Sequence, residues 1–512
     1  MAFPTSLSST SKDSQGKVSS TLRHRLPSSA LDDIESKSSR SVFLPIVPSH
    51  NGSASTLKSL LTSQRLLCNA PVLVLVLIAS LDNADKQLLA SSFAMLERTL
   101  HLDVKVLGYF SLFTNLSYAL SLPFWGYLVH KYGMDRIHIL LSVACASWGL
   151  ATIGIAAAGS SMVGQAFFRS LNGVALGSIL PLSQTLLVEL VAVDMRGRAF
   201  GLMGLCEKLA GTIAAASIIY LDDWQHPYYC LGIFSVLMAV IARQQLDPRK
   251  IKRLKSKEQN DEKTDPGPEL TLKQIIQRIA KIPAFACLVA QGVFGGTPWD
   301  MMSFMLLLLD WRGFNKEQIV LIQFTSGMSS TFGGWLGGML GDYADQRMGT
   351  RGRIAVAVVS VIGGIPLYGL FLYATDYRWA LLWFTLFNVW ATWPPACALR
   401  PLCAALTRNP SERAQIVSMW IVLEKASGAI FGAPLVGYLT SNMLSEAEMQ
   451  DTGISVPKAR ALAFNLFALS SLFWAICASF WLAMAYTMRP NAQSKEKGYS
   501  DEEGLEVMAP LV

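Results

Sequence analysis

Charge is scarce in this chain. Only 15% of its 512 residues are Asp, Glu, Lys or Arg, while 52% are hydrophobic. Soluble domains carry about 25% charged residues, so the composition excludes an ordinary soluble globule. The six histidines (24, 50, 101, 130, 138 and 226) avoid the centres of the apolar runs. No nucleophile–base set or metal-ligand spacing stands out, so no enzyme activity, metal or cofactor is expected. The eight cysteines form no C-x-x-C pair and lie almost entirely in apolar sequence, as small core hydrophobes do. A phosphate-binding G-x-x-x-x-G-K-[ST] loop is also missing, which argues against ATP drive. No hydrophobic stretch follows Met1, against a cleaved signal peptide. A transit peptide is the alternative, and Asp32, Asp33 and Glu35 argue against it.

About twelve apolar segments are present, centred near Ala84, Tyr118, Trp148, Val174, Leu209, Phe234, Phe294, Met328, Gly363, Val389, Ser427 and Leu472. Each is close to the ~20 residues that cross ~30 Å of hydrocarbon. The expected fold is an all-α polytopic membrane protein, with these helices arranged as two pseudo-symmetric six-helix bundles. Residues 1–66 read as a disordered Ser-rich tail, 67–245 as the first bundle and 246–281 as a basic linker. Residues 282–488 read as the second bundle and 489–512 as a C-terminal tail. Lys131 and Arg136, the linker run Arg249 to Lys257, Arg347, Arg351 and Arg353, and Lys495 and Lys497 all follow even-numbered segments. The opposite loops hold acids such as Asp222, Asp223, Glu446 and Glu448. That asymmetry places the basic side and both termini in the cytoplasm. The net charge of +7 is thus a membrane-topology signal and not a nucleic-acid one.

A repeat runs through the apolar sequence. Arg196, Glu207, Lys208 and Gly211 recur as Arg413, Glu424, Lys425 and Gly428, each 217 residues later. Asp85 and Asp300 stand 215 apart in segments one and seven. Such a period in a membrane chain points to two copies of one bundle. Nine ionisable residues fall inside spans: Asp82, Asp85, Lys86, Arg169, Glu207, Lys208, Asp300, Glu424 and Lys425. At about 2.5–3.5 kcal/mol each, their isolated insertion would cost on the order of 20–30 kcal/mol. They must therefore meet partners or a water-filled cavity, most simply one between the repeats. Asp82 and Lys86, at i and i+4, can neutralise one another, and Arg169 is a partner for Asp85. Gly292, Gly295, Gly296 and Pro298 predict a broken or bent seventh segment. Trp383, Phe387 and Trp390 form one stripe on segment ten that lines a cavity or packs in the core.

The loop between segments two and three reads Gly126, Leu128, His130, Lys131, Gly133, Asp135, Arg136. Its second copy, 212 residues on, reads Gly338, Leu340, Gly341, Asp342, Asp345, Arg347. Both resemble the G-x-L-a-D-R-x-G-R-R/K element of the major facilitator superfamily, and the resemblance covers residues 67–488. Asn83, Asp85 and Lys86 in segment one, with Leu122 to Leu128 before the loop, are similar to the spinster-type lipid transporters of that superfamily. The resemblance implies that segments one, four, seven and ten line the pathway. It also implies a cytoplasmic gate made of Gly126, His130, Gly133, Arg136 and Arg196 in the first half. Gly338, Asp342, Arg347 and Arg413 would form the gate in the second half. His130 stands where the family has an acid, so the Arg196 latch of the first half is in doubt. Leu176 replaces an acid that spinster-type sequences often carry in segment four, which puts proton coupling by that route in doubt.

The expected function is secondary active transport of a small organic solute, a lysolipid or another amphipathic molecule, by alternating access. A non-transporting membrane sensor or receptor on the same scaffold is the alternative. Expected partners are the solute, a co-transported proton or sodium ion, and membrane lipids, in the plasma or an endolysosomal membrane.

Overall fold

A peptide chain in hydrocarbon must satisfy its backbone groups internally, and the α-helix does so within a single segment. The computed structural model describes residues 70–191, 195–246, 283–405, 410–446, 448 and 453–487, and among these it holds helices and no strand. The expected tails and linker lie outside the described residues. In the first half the helices are α1 (Ala70–Leu100), α2 (Val104–Ala158), α3 (Met162–Leu176), α4 (Ile179–Leu190), α5 (Arg196–Leu221) and α6 (Gln225–Gln245). In the second half α7 (Pro283–Met301) leads through a 3-10 turn to α8 (Met305–Trp311), followed by α9 (Lys316–Met348) and α10 (Thr350–Tyr373). Next come α11 (Tyr377–Ala391), a π turn (Pro395–Leu399), α12 (Arg400–Ala405), α13 (Pro410–Phe431), α14 (Ala433–Met443) and α15 (Val456–Thr487).

The chain is an integral, multi-pass membrane protein with about twelve spans in two six-helix bundles. Eight helical stretches among the described residues are long and apolar enough to cross a membrane by length and composition alone. The first, second, eighth and tenth segments are helical too, but are too charged, too polar or too short for that criterion. α2 supplies both the second and third spans. A Cβ at Gly173 would strike the Thr114 carbonyl, while Thr152 bonds to Asn172. A straight helix would hold Thr114 and Thr152 ~57 Å apart. Since both lie against α3, α2 folds back on itself between the two, where the loop motif sits. The loop expected there is thus helical and not a separate coil.

Small residues let the helices approach. Gly173 and Gly177 of the fourth span face the backbone of α2 at Thr114 and Tyr118, the kind of close contact that membrane helices build from small residues. Gly177 also separates α3 from α4. The glycines of the 217-residue repeat do equivalent work in each half. Gly211 of α5 lies against Asn83 and Gln87 of α1, and Gly428 of α13 lies against Asp300 of α7.

Three apolar clusters make up the core, and their distribution is uneven. One contains Leu88, Phe93 and Trp224 of the first half together with Phe304, Trp311, Phe387 and Trp474 of the second. It fuses the halves at the end of the bundle farthest from the linker, termed here the distal end. The other two sit towards the linker end and are confined to one half each: Val72, Trp125 and Leu186 in the first, Phe285, Trp393 and Trp481 in the second. The halves are therefore joined by apolar packing at the distal end.

Candidate functional site

Between the halves lies a cavity of about 840 Å³. Seven of the nine intramembrane charges line it: Asp85, Lys86, Arg169, Lys208, Asp300, Glu424 and Lys425. Asp82 and Glu207 stand beside it rather than on its wall. The seven lining residues come together at the interface of the two halves. The rest of the wall mixes amides and hydroxyls, such as Asn115, Gln291 and Asn388, with one further cation, Arg400, and an aromatic face of Trp299, Phe384, Phe387 and Trp474 from the second half. Trp299 and Phe387 ring centroids are 5.8 Å apart, as are those of Phe387 and Trp474, within the range of favourable aromatic pairing.

On α1, Lys86 Nζ donates to Asp82 Oδ2 at 2.7 Å, the i, i+4 pair that the spacing predicts. The same ammonium lies 5.0 Å from the centroid of Tyr118, a cation–π distance. Asp85 points the other way and is buried. Its Oδ2 accepts from Trp148 Nε1 at 2.5 Å, Thr152 Oγ1 at 2.8 Å and Asn172 Nδ2 at 3.1 Å. Three uncharged donors on two helices thus replace the cation expected there.

Arg169 does not answer Asp85. Its Nε donates to Gln165 Oε1 at 3.0 Å, one turn earlier on α3. The guanidinium lies 4.7 Å from the Phe110 centroid and 5.9 Å from that of Tyr228. The residue is only 1% exposed, and Nη2 has no hydrogen-bond partner among the described residues. A buried cationic donor without a partner is costly, and this one is held by rings at the cavity wall.

In the second half Lys425 Nζ reaches Asp300 Oδ1 at 3.7 Å. Gly428 makes room for that carboxylate, since a Cβ there would collide with Asp300 Oδ2. A Cβ at Gly296 would collide with the Glu424 side chain, and one at Gly292 with the Trp420 indole. The glycines of segment seven are therefore contact residues. The break expected at them falls later, at Met302–Phe304, after Pro298 has removed a backbone donor. Asn83 Nδ2 donates to the Glu207 carbonyl at 2.6 Å, so α1 and α5 are tied by an amide and α7 and α13 by an ion pair.

The stripe on segment ten divides. Phe387 lines the cavity. Trp383 faces an outer groove with Trp379 and Tyr373, and Trp390 donates to the Val359 carbonyl at 3.1 Å. A single cavity-lining stripe is thus not formed.

Of the expected gate, the side chains of His130, Arg196 and Arg413, and Gly133, lie outside the described residues. Gly126 has open space around its Cβ position, and Gly338 meets only Ala396. Arg136 and Arg347 lie over Tyr132 and Tyr343, at 5.9 and 4.5 Å. Asp342 accepts from Arg353 Nη2 at 2.7 Å. Arg353 was read from the sequence only as a topology charge, and it also bonds Asp345 and the Cys397 carbonyl. Asp342 is thus engaged by Arg353, and the Arg413 partner that the resemblance implied lies outside the described residues.

Residues 75–433 match the profile of the Major Facilitator Superfamily. The chain belongs to that superfamily. Among solved structures it is similar to a bacterial homolog of the human lysosomal transporter Spinster in an inward-facing, unoccupied conformation. Identity there is 17% and the TM-score 0.63, over 81% of this chain and 96% of that one. It is also similar to the nucleoside transporter NupG, at 13% identity and TM-score 0.58 over 82% and 100% of the chains. A D-xylose-proton symporter matches at 12% identity and TM-score 0.56, over 80% and 96%. At these identities the likeness is one of fold. No curated protein matches the sequence.

Proposed function

We propose that this superfamily member is a secondary transporter that moves an amphipathic organic anion by alternating access. The observation that carries the reading is the two-sided cavity wall. On one side lies Arg169, its guanidinium buried beside Phe110 and Tyr228; on the other stand Trp299, Phe387 and Trp474. An anionic head beside Arg169 would meet its positive charge, and a planar or long apolar part would lie on the rings. Arg suits such a role because its fork of donors matches a phosphate or carboxylate in two-point contact. A lysolipid, the solute that the spinster-like residues of segment one imply, fits that description.

On this reading the linker end, with its excess of Lys and Arg, faces the cytoplasm. The shared apolar cluster then closes the outer side, and the cavity belongs to an inward-open state. Asp85, Glu207, Glu424 and Asp300 are the carboxylates available to a coupling proton or sodium ion. Substrate binding drives the cycle only as far as it differs between inward and outward states.

Counterflow in proteoliposomes tests this. Vesicles loaded with an unlabelled lysophosphatidate should accumulate the labelled compound, and a lysolipid of the same chain with a neutral head should compete weakly. Binding of the labelled compound by folded protein with no exchange across the bilayer would refute transport. Equal competition by the neutral-headed compound would refute the anion preference.

A further inference from the structure

The two halves do not repeat their charges faithfully, and the exception lies on the cavity wall. The 217-residue period that relates Gly211 to Gly428 and Lys208 to Lys425 sets Asn83, rather than Asp85, opposite Asp300. The packing agrees with that register. A Cβ at Gly428 would strike Asp300 Oδ2, and a Cβ at Gly211 would strike Asn83 Nδ2. Asn83 therefore occupies in the first half the place that Asp300 occupies in the second.

The exchange of a carboxylate for an amide changes the chemistry. Asp300 takes Lys425, Oδ1 to Nζ at 3.7 Å. Asn83 is neutral, and its Nδ2 is committed to the Glu207 backbone carbonyl at 2.6 Å. Lys208 thus lacks the acid that its counterpart Lys425 has. Asp82, Asp85 and Glu207 do not replace it. Asp82 holds Lys86 at 2.7 Å, and Asp85 Oδ2 accepts from Trp148, Thr152 and Asn172. Glu207 adjoins Lys208 in sequence, but neighbouring helical residues point about 100° apart, and the two form no ion pair. Lys208 lines the cavity, is exposed, and has no ion-pair partner among the described residues.

We propose that Lys208 is a cation that receives the anionic group of the solute, a phosphate or a carboxylate, in place of the acid that its half of the repeat lacks. The proposal deepens the anion-transport reading and rests on it. In the second half this contact is filled from within, by Asp300; in the first half it is left to the ligand. A hydrogen bond between an ammonium and an anion is stronger than one between neutral groups, so a solute that supplies the missing charge gains over one that does not. Lysine is a compact point charge on a flexible stem. Position 208 should therefore respond to the presence of charge more than to the shape of the group that carries it.

Equilibrium binding to the purified full-length protein in lipid nanodiscs tests this, with two labelled probes of one chain length, a lysophosphatidate and a monoacylglycerol. Wild type should prefer the lysophosphatidate. K208Q should weaken its binding by about tenfold or more and leave the monoacylglycerol unchanged. K208R keeps the charge and should bind both probes as wild type does. N83D supplies the missing acid beside Lys208 and should weaken the lysophosphatidate as K208Q does. Lysophosphatidate binding unchanged in K208Q, or both probes weakened alike, overturns the role of Lys208 while the anion preference of the wild type stands. A wild type that does not distinguish the probes overturns the anion reading and Lys208 with it. Binding is read without movement of solute, so transport can fail while the Lys208 contact is upheld. If N83D does not fold, because its carboxylate faces the Glu207 carbonyl, K208Q and K208R decide.

Discussion

Asn172 Nδ2 donates to Asp85 Oδ2 at 3.1 Å and to Thr152 Oγ1 at 3.0 Å. The amide therefore stitches the first, third and fourth spans at a single carboxylate oxygen. All three of the partners at that oxygen are donors. D85N keeps one acceptor oxygen for these donors but removes the charge. The protein should remain folded by size-exclusion profile, with uptake of the labelled lysophosphatidate lowered by about tenfold or more. Wild-type uptake by D85N would remove Asp85 from the mechanism.

Arg169 is set by two rings and one glutamine, so its geometry depends on a flat, forked cation. A lysine there keeps the charge but cannot stack on Phe110 or present parallel donors. R169K should therefore raise the KM for the anionic lysolipid by about tenfold, with a smaller change for a neutral-headed analogue. Comparable changes for both compounds would show that Arg169 supports the fold without reading the head group.

The sequence made the two-bundle plan legible because the repeat is written in residues that cannot drift. Gly211 and Gly428 must stay bare where α1 and α7 approach, and the charges beside them must stay where the cavity is. The Asp82–Lys86 pair was legible for a similar reason, since one helical turn fixes it. The partners of Asp85 were not. Charge counting pointed to Arg169, whereas Trp148, Thr152 and Asn172 read as ordinary span residues until three helices converge. The buried Glu97–Lys458 ion pair, which joins the halves, was hidden by distance along the chain, 361 residues, and by positions near helix ends that read as an interfacial rim. Glycine was ambiguous at segment seven. The same residue type permits a bend or a close contact, and only the position of Glu424 and Trp420 shows that contact governs.

The close-contact argument can be tested on a matched pair. A Cβ at Gly173 would meet the Thr114 carbonyl, a backbone group that cannot turn aside, while Gly204 has nothing within 4 Å of its Cβ position. G173A should destabilise the protein by about 1–3 kcal/mol through overpacking. G204A should be neutral or stabilising by up to about 1 kcal/mol, since alanine is the better helix former. Thermal unfolding followed by fluorescence-detected size exclusion separates the two. Equal midpoints would contradict the packing at the α2–α3 seam.

Arg353 serves three acceptors at once: Asp342 at 2.7 Å, Asp345 at 3.2 Å and the Cys397 carbonyl at 3.1 Å. It therefore joins the end of α9 and the start of α10 to the π turn of the tenth segment. The Arg353 side chain is 14% exposed, but that of Asp342 is 67% exposed. Removing the outer carboxylate should therefore cost little, because water replaces it and Asp345 remains. Removing the hub is different: R353Q leaves two carboxylates facing each other and a carbonyl in the turn without its charged donor. D342N should lower stability by less than about 1 kcal/mol, and R353Q by about 1–3 kcal/mol. The double variant should be no worse than R353Q alone, because the pair has only one interaction to lose. Additive losses in the double variant would show that Asp342 acts through a partner other than Arg353.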